Sequence, residues 1–354
     1  MTKAGPKGSR KEKTVSGVSN LGVKIAVIGT GARGKMFAEI LRKGSCLAGV
    51  FEKQYKNERE LDYEIGGSKA GRVEDLVKSC KEIDAAVITG PAITHMAPAM
   101  ALMKAGKHVL IDGMFSESVS NARKMVDAAK AAHVILSVGF PGRHNPAVNY
   151  VRDNLREKKF GNLISFIGRR VGPAPEGLID IEGVMGNIAQ EIDVIRYVTG
   201  SEVEMLKSTG GFGSEDHFGG IANVMLIMKG SLSGILEIDT LTPMNVSGLE
   251  LMCLKKYLEA DYRKQTVDIW STKPSPEGTL DILETSGEAE HQQITPRKVD
   301  IIKTILDDFA GAIKNKRKPL VTGEDGVMAL RVAQAAVENM EINKTTEMDE
   351  FPED

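Results

Sequence analysis

Three glycines, Gly29-x-Gly31-x-x-Gly34, stand between an apolar run, Val23 to Ile28, and a helical pattern, Lys35 to Leu41. That order reads as strand, tight turn and helix, an arrangement that holds the diphosphate of a dinucleotide. The three glycines differ in what they allow. Gly29 permits the turn, Gly31 leaves bare backbone for a pyrophosphate, and Gly34 lets helix and strand pack closely. Thr30, Ala32 and Arg33 complete the loop, and the start of the helix adds unpaired N–H groups and positive dipole. A second apolar run, Leu47 to Phe51, ends at Glu52, eighteen residues past Gly34, where a carboxylate accepts hydrogen bonds from an adenosine ribose. A carboxylate there repels a 2′-phosphate, so the expected cofactor is NAD. NADP is the alternative, because Lys53 and Lys56 stand close by.

Such a loop needs a sheet to carry it. Beyond Glu52, Arg72 to Val77 reads as a short helix and Asp84 to Thr89 as a strand running into Gly90-Pro91. Then Ala97 to Lys104 is helical, Lys107 to Ile111 a strand, Ser118 to Ala131 helical, and His133 to Val138 a strand ending at Gly139. Strands alternating with helices predict a parallel, doubly wound sheet, an α/β Rossmann domain over residues 21–141. From Asn145 the pattern changes. A helix at Pro146 to Arg156, a strand at Leu163 to Arg170 and a helix at Val184 to Val198 precede strand-like runs near 221–228, 232–241, 249–254, 257–261 and 267–270. Strands in succession predict a largely antiparallel open sheet in an α+β domain over residues 142–322. Residues 273–293 read as a surface excursion, and helices follow at Lys298 to Lys314 and Gly323 to Met340. Residues 1–20 read as a disordered basic arm and 345–354 as an acidic tail.

Composition removes several function classes. A net charge of -2 gives no bulk attraction to nucleic acid or to an anionic membrane, and no apolar run is long enough to span a bilayer. Cys46, Cys80 and Cys253 make an odd count with no CxxC pair, which points to a reducing, cytoplasmic setting rather than a disulfide framework. No cluster of His, Asp and Glu has metal-ligand spacing, so no metal is expected.

Over Val23 to about Lys344 the chain resembles the glucose-fructose oxidoreductase / inositol dehydrogenase / MocA superfamily. The resemblance is carried by the glycine loop with Glu52, Pro91 with His95, Ala105 to Leu110, Gly139 with Arg143 and Asn145-Pro146, Glu191-Ile192-Asp193 with Arg196-Tyr197, and Pro319 to Gly326. Arg169 to Pro173 and Leu241 to Pro243 are similar to dehydrogenases of UDP-N-acetyl-hexosamines. The resemblance implies an active site between the two domains, with Gly90, Pro91, His95 and Asp112 on the cofactor side. It also implies hydride transfer between nicotinamide and a hydroxyl or ketone of a sugar or nucleotide-sugar. The last helix, residues 323–344, would pack back on the first domain, and a homodimer or homotetramer would form through the C-terminal sheet.

The chain departs from the family where protons are handled. The resemblance places a lysine at Gly113, within Asp112-Gly113-Met114, and an Asp-x-x-x-His pair at Gly186 and Gln190. A positioned base is worth roughly 10²- to 10⁴-fold in rate, and glutamine takes no proton near neutral pH. The remaining catalytic candidates are Gln190, His144 and Asp112, although Asp112 reads equally as a turn cap and His144 as a solvated loop residue. Arg143 and Arg169, with Gln190, are the candidates for substrate binding, since guanidinium groups suit phosphate. Strand alternation sends Arg169 and Arg170 to opposite sides, so at most one of them faces the cleft. Three readings stay open: an oxidoreductase with altered acid–base groups, a non-catalytic dinucleotide- and sugar-binding protein (a sensor or the partner subunit of an active paralogue), or an enzyme that uses the bound cofactor in a non-redox net reaction such as epimerisation or elimination.

Overall fold

The computed structural model describes residues 22–57, 60–65, 68–70, 82–173, 181–212, 220–254, 256–272, 289–342 and 345–348. The basic arm, the helix expected at Arg72 to Val77 and most of the 273–293 excursion lie outside them. The first sheet holds β1 (Ile25–Ile28), β2 (Leu47–Asn57), β3 (Glu60–Ile65), β4 (Ser68–Ala70), β5 (Ala85–Ile88), β6 (His108–Ile111) and β7 (Leu136–Val138), in the order β4-β3-β2-β1-β5-β6-β7. From β2 to β7 all pairings are parallel. Every residue of β1 (IAVI) and β5 (AAVI) is buried, as befits central strands covered on both faces. The antiparallel hairpin β3–β4 extends the edge beyond β2. Strand order reverses between β1 and β5, and ligands of such sheets bind outside the carboxyl ends at that point.

Helix α1 (Ala32–Lys43) covers one face of this sheet. On the other lie α2 (Met96–Lys104) and α3 (Val119–Ala131), the latter capped where Ser118 accepts the Asn121 N–H at 3.2 Å. After β7, α4 (Pro146–Arg156) starts with proline at its first position and the Asn145 side chain accepting the Ala147 N–H at 2.9 Å.

The second sheet has nine strands: β8 (Leu163–Val171), β9 (Val203–Phe212), β10 (Gly220–Met228), β11 (Ser233–Asp239), β12 (Val246–Cys253), β13 (Lys256–Asp261), β14 (Thr266–Ser271), β15 (Glu290–Ile294) and β16 (Thr345–Glu347). Their order is β15-β14-β13-β12-β8-β11-β10-β9-β16, antiparallel except for β8 with β11. One face packs on α5 (Ile181–Thr199). Along β10 buried and exposed residues alternate, so the sheet has one covered face and one open one. On the open face Met225 lies opposite Ile235, and Ile235 opposite Ile167.

Helix α6 and the start of the acidic tail sit elsewhere than the sequence pattern suggests. Helix α6 (Ile301–Asn315), expected in the second domain, packs Ile302, Ile305, Leu306 and Phe309 into one core with Val23, Ile25, Phe37 and Leu41 of the first. An apolar stripe of that width buries itself wherever the chain can reach a matching face, and the face beside α1 takes it. Helix α7 (Gly323–Ile342) then wedges between the units, against α3 and β7 on one side and α5 and β9 on the other. The start of the acidic tail is β16, paired with β9, and Met348 is buried behind it. Pairing the otherwise open edge of β9 satisfies its backbone groups. Among the described residues no helix is long and apolar enough to cross a membrane, and no group of three or more His, Cys, Asp or Glu could hold a metal ion.

Candidate active site

A cleft of about 870 Å³ runs from the carboxyl ends of β1, β5 and β6 to α5 and the ends of β8, β11 and β12. Its floor on the first domain is the glycine loop. Gly29 has φ +110°, and a Cβ there would meet the Thr89 carbonyl oxygen at 2.6 Å. A Cβ on Gly34 would lie 1.9 Å from the Gly29 oxygen, so only glycine lets α1 sit this close to β1. Around Gly31 nothing stands within 4 Å of a built Cβ, and no side chain caps the first turn of α1. The result is a bare cradle of backbone N–H groups that a dinucleotide diphosphate fits. Thr30, Ala32, Gly90 and Pro91 line the same region.

Arg33 reaches across this floor to Asp112 at the end of β6. Its Nε lies 2.8 Å from Oδ2 and its Nη2 2.5 Å from Oδ1, a bidentate pair in which the Asp112 side chain is 2% exposed. Asp112 is therefore a cleft residue with a fixed cation beside it. Gly113 has φ +93°, with nothing within 4 Å of a built Cβ.

The opposite wall is α5. Glu182, Gly186, Asn187 and Gln190 line the cleft from it, and Glu182 Oε1 accepts the Ala92 N–H from the β5 loop at 2.6 Å. Of the arginine pair on β8, Arg170 faces the cleft. Its Nε donates to Glu191 at 2.9 Å, and the other Glu191 oxygen accepts the Tyr262 hydroxyl at 2.6 Å. Burial pushes the Glu191 carboxyl up, while Arg170 and Tyr262 pull it down. Asp239 also lines the cleft, but it accepts the backbone N–H groups of Leu241 at 2.7 Å and Thr242 at 3.0 Å. Against the upward push of burial, the Thr242 hydroxyl and these N–H groups hold Asp239 below the usual carboxylate range.

Four expected site residues lie away from the cleft. Arg169 points to the open face of the sheet, paired with Glu237 at 2.6 Å and with Glu250. Cross-strand carboxylates fix it there, since Glu237 stands opposite it in register. Arg143 is 3.0–3.1 Å by Nε from both Asp193 oxygens and 2.8 Å by Nη2 from Asp325. It joins α5 to α7 rather than facing substrate. His144 is buried and packed towards α6, and burial pulls its pKa down to about 4, with Asp308 opposing and Arg143 reinforcing. A histidine so placed is neutral and remote, not an acid–base group for the cleft. His95 is fully buried, its ring nitrogens 2.9 Å from Gly90 O and 3.3 Å from Phe115 O, and it pins the β5 loop to the β6 loop. Glu52 lies inside β2, opposite Glu64, and its side chain is outside the described residues.

Sequence reasoning misses Glu182 and Asn187 and leaves Arg170 undecided. Spacing holds the signal for the first: Glu182, Gly186 and Gln190 recur every four residues, so one helix face carries all three. For the arginines only the strand register decides, and that is a tertiary fact.

A doubly wound first domain with a bare phosphate cradle, facing a second sheet across a cleft, is the architecture of a dinucleotide-binding Rossmann fold. Residues 23–140 match the family model described as "Oxidoreductase family, NAD-binding Rossmann fold", so this unit is a Gfo/Idh/MocA family domain. Over the whole chain the protein is similar to UDP-N-acetylglucosamine 3-dehydrogenase of Acidithiobacillus ferrooxidans, 25% identical over 320 residues, covering 89% of this chain and 96% of that one. It is similar also to myo-inositol 2-dehydrogenase of Thermotoga maritima, 24% identical over 340 residues, covering 93% and 99%. The solved structure of the Acidithiobacillus enzyme superposes with a TM-score of 0.74 over 90% of this chain and 98% of that one, at 23% identity.

Proposed function

We propose that the protein is an NAD-dependent oxidoreductase that exchanges hydride with a hydroxyl or ketone of a sugar or nucleotide-sugar, without the family's lysine and Asp/His groups. The observation that carries this is the continuous cleft joining the glycine cradle to the polar wall of α5 and β8. When bound, NAD supplies the hydride acceptor. Gly29 to Gly34 would hold its diphosphate, and Gly90, Pro91 and Asp112 would border the rest. On the far wall Asn187, Gln190 and Arg170 offer donors and acceptors that suit sugar hydroxyls, and the Arg170 fork also suits a phosphate oxygen. Glu191 and Tyr262 hold that guanidinium in place from behind.

The test is incubation with NAD and a panel of UDP-hexosamines, hexoses and inositols, following absorbance of the reduced cofactor, with NADH and the matching ketones for the reverse direction. Turnover of any member supports the reading, and none across the panel refutes it. A second reading has its own support: Gly113, Gly186 and Gln190 together supply no titratable group. On that reading the protein binds dinucleotide and sugar as a sensor or as the partner subunit of an active paralogue. Tight NAD binding by calorimetry with no turnover favours it. For assembly, a homodimer or homotetramer through the open sheet face is supported by the row Met225, Ile235 and Ile167, of which Met225 is 54% exposed. Sedimentation of the protein and of Met225→Lys tests that, a monomeric wild type being the contrary result.

A further inference from the structure

We propose that a second cavity, at the opposite end of the first sheet from the cleft, binds a phosphorylated small molecule with an apolar or aromatic body. The cavity has a volume of about 660 Å³ and opens where β6 and β7 begin, between the ends of α3 and α6 and the start of α7. His108, the first residue of β6, lines it, whereas Asp112, just past the last, lines the cleft. The four residues of β6 thus separate two distinct places. Small-molecule sites run from about 300 to 1,000 Å³, and this one falls within that range. Its floor is apolar, lined by Val126 of α3, Leu136 of β7 and Ile313 of α6.

Charge sets this cavity apart from the cleft. Lys130, Lys316, Arg317 and Lys318 line it with a single carboxylate, Glu324, whereas the cleft sets Arg33 and Arg170 against Asp112, Glu182 and Asp239. Glu324 is taken by Lys130 at 3.1 Å, and Arg317 by Asp308 at 2.7 Å. Among the described residues Lys316 and Lys318 make no ion pair. Burial pushes the Glu324 carboxyl up, yet its own N–H, Lys130 and Lys318 hold it below the usual carboxylate range, the mark of a positive surrounding. Helix α7, twenty residues long, begins here with Gly323 and Glu324 and adds the positive end of its dipole. His108 accepts the Ile135 N–H on Nδ1 at 2.9 Å, so its proton sits on Nε2 and the ring offers a donor without a charge. His133 and Lys316, both lining the cavity, hold left-handed backbone at φ +54° and +50°, at helix ends where glycine is the common residue. Side chains are kept there at a conformational cost. Two unpaired ammonium groups beside a helix start suit a compact dianion, and lysine meets phosphate as a point charge. The apolar floor calls for a body on that phosphate, since an inorganic ion leaves it uncovered.

The experiment titrates the full chain, with saturating NAD to fill the cleft, against 1-naphthyl phosphate, inorganic phosphate and 1-naphthol by calorimetry. Histidine ring signals are followed by NMR in parallel; there are six in the chain, each assigned by one substitution. Expected are saturable binding of 1-naphthyl phosphate with Kd below about 1 mM, weaker binding of the other two, and shifts of His108 and His133 with His291 unmoved. Lys316→Gln with Lys318→Gln should weaken 1-naphthyl phosphate roughly 3- to 25-fold, as two exposed ion pairs do, and leave NAD affinity unchanged. No saturable binding overturns the proposal, and so does binding that the double variant leaves as it was or that moves neither His108 nor His133. Inorganic phosphate held as tightly as 1-naphthyl phosphate overturns the apolar body, and 1-naphthol held as tightly overturns the phosphate. None of these outcomes bears on the oxidoreductase reading of the cleft, which the sugar panel tests separately.

Discussion

Gly113 and Gly186 occupy two positions where the resemblance places proton-handling side chains, yet alanine should act on them with opposite sign. Gly113 has φ +93°, and a Cβ there meets nothing within 4 Å, so the cost of Gly113→Ala is conformational alone. An L-residue held in left-handed backbone costs roughly 1–2 kcal/mol. Gly186 is inside α5, and its Cβ would make an ordinary 3.6 Å contact with Met114. Replacing a helix-interior glycine by alanine recovers roughly 0.5–1 kcal/mol. The two variants should thus differ by about 1.5–3 kcal/mol, with wild type between them. Urea unfolding with an unchanged slope reads this directly as a shift in midpoint. Equal stability of the two variants, or a Gly113→Ala protein more stable than wild type, would refute the reasoning. The same asymmetry holds for larger side chains: lysine at 113 inherits the backbone strain, whereas aspartate at 186 does not.

Three further outcomes follow from named contacts. Gly34→Ala forces a Cβ to 1.9 Å from the Gly29 oxygen, so α1 must move off β1. Overpacking of this kind costs about 1–3 kcal/mol, and calorimetry should show NAD affinity falling with it, while wild-type affinity in this variant would contradict the cradle. The folded pKa of His144 lies at about 4 against 6.5 for a free imidazole, so between those values the unfolded chain binds the extra proton. Stability therefore rises with pH through that window by up to about 3 kcal/mol, and His144→Gln should flatten this part of the stability–pH curve. Arg143→Met strands Asp193, whose side chain is 0% exposed, and should cost about 3–5 kcal/mol in denaturant, a loss too large to follow if the pair were solvated.

The first domain is legible in the sequence because its signals are local. An apolar run, a glycine turn and a helical repeat follow one another within twenty residues, and Gly29 and Gly34 are forced by contacts that lie within or beside that turn. The second sheet is legible as a succession of strands but not in its edges. In β9 the polar and glycine run Lys207 to Gly211 follows Leu206, and β16 is three residues long, so neither presents a period to read. The home of α6 is hidden for a different reason: an amphipathic stripe announces that it will be buried but not against which partner. Site residues divide along the same line. Those on the glycine loop follow from spacing, whereas Arg170 over Arg169 depends on Glu237 and Glu250 arriving from other strands.

Two of the marks of family resemblance on α5, Glu191 and Asp193, serve the pose of the helix. Gln190 faces the cleft, and the residues just after it point away from it. Glu191 turns to the second sheet, taking Arg170 Nε at 2.9 Å and the Tyr262 hydroxyl at 2.6 Å. Asp193 turns the other way, to Arg143, which in turn holds Asp325 of α7 at 2.8 Å and the Leu320 carbonyl at 3.1 Å. Two buried carboxylates thus clamp α5 on either side of its cleft-facing edge. With the rotation fixed, any side chain placed at 182, 186 or 190 projects into the cleft. That edge of α5 therefore keeps its aspect towards the cleft as long as Glu191 and Asp193 keep their arginines.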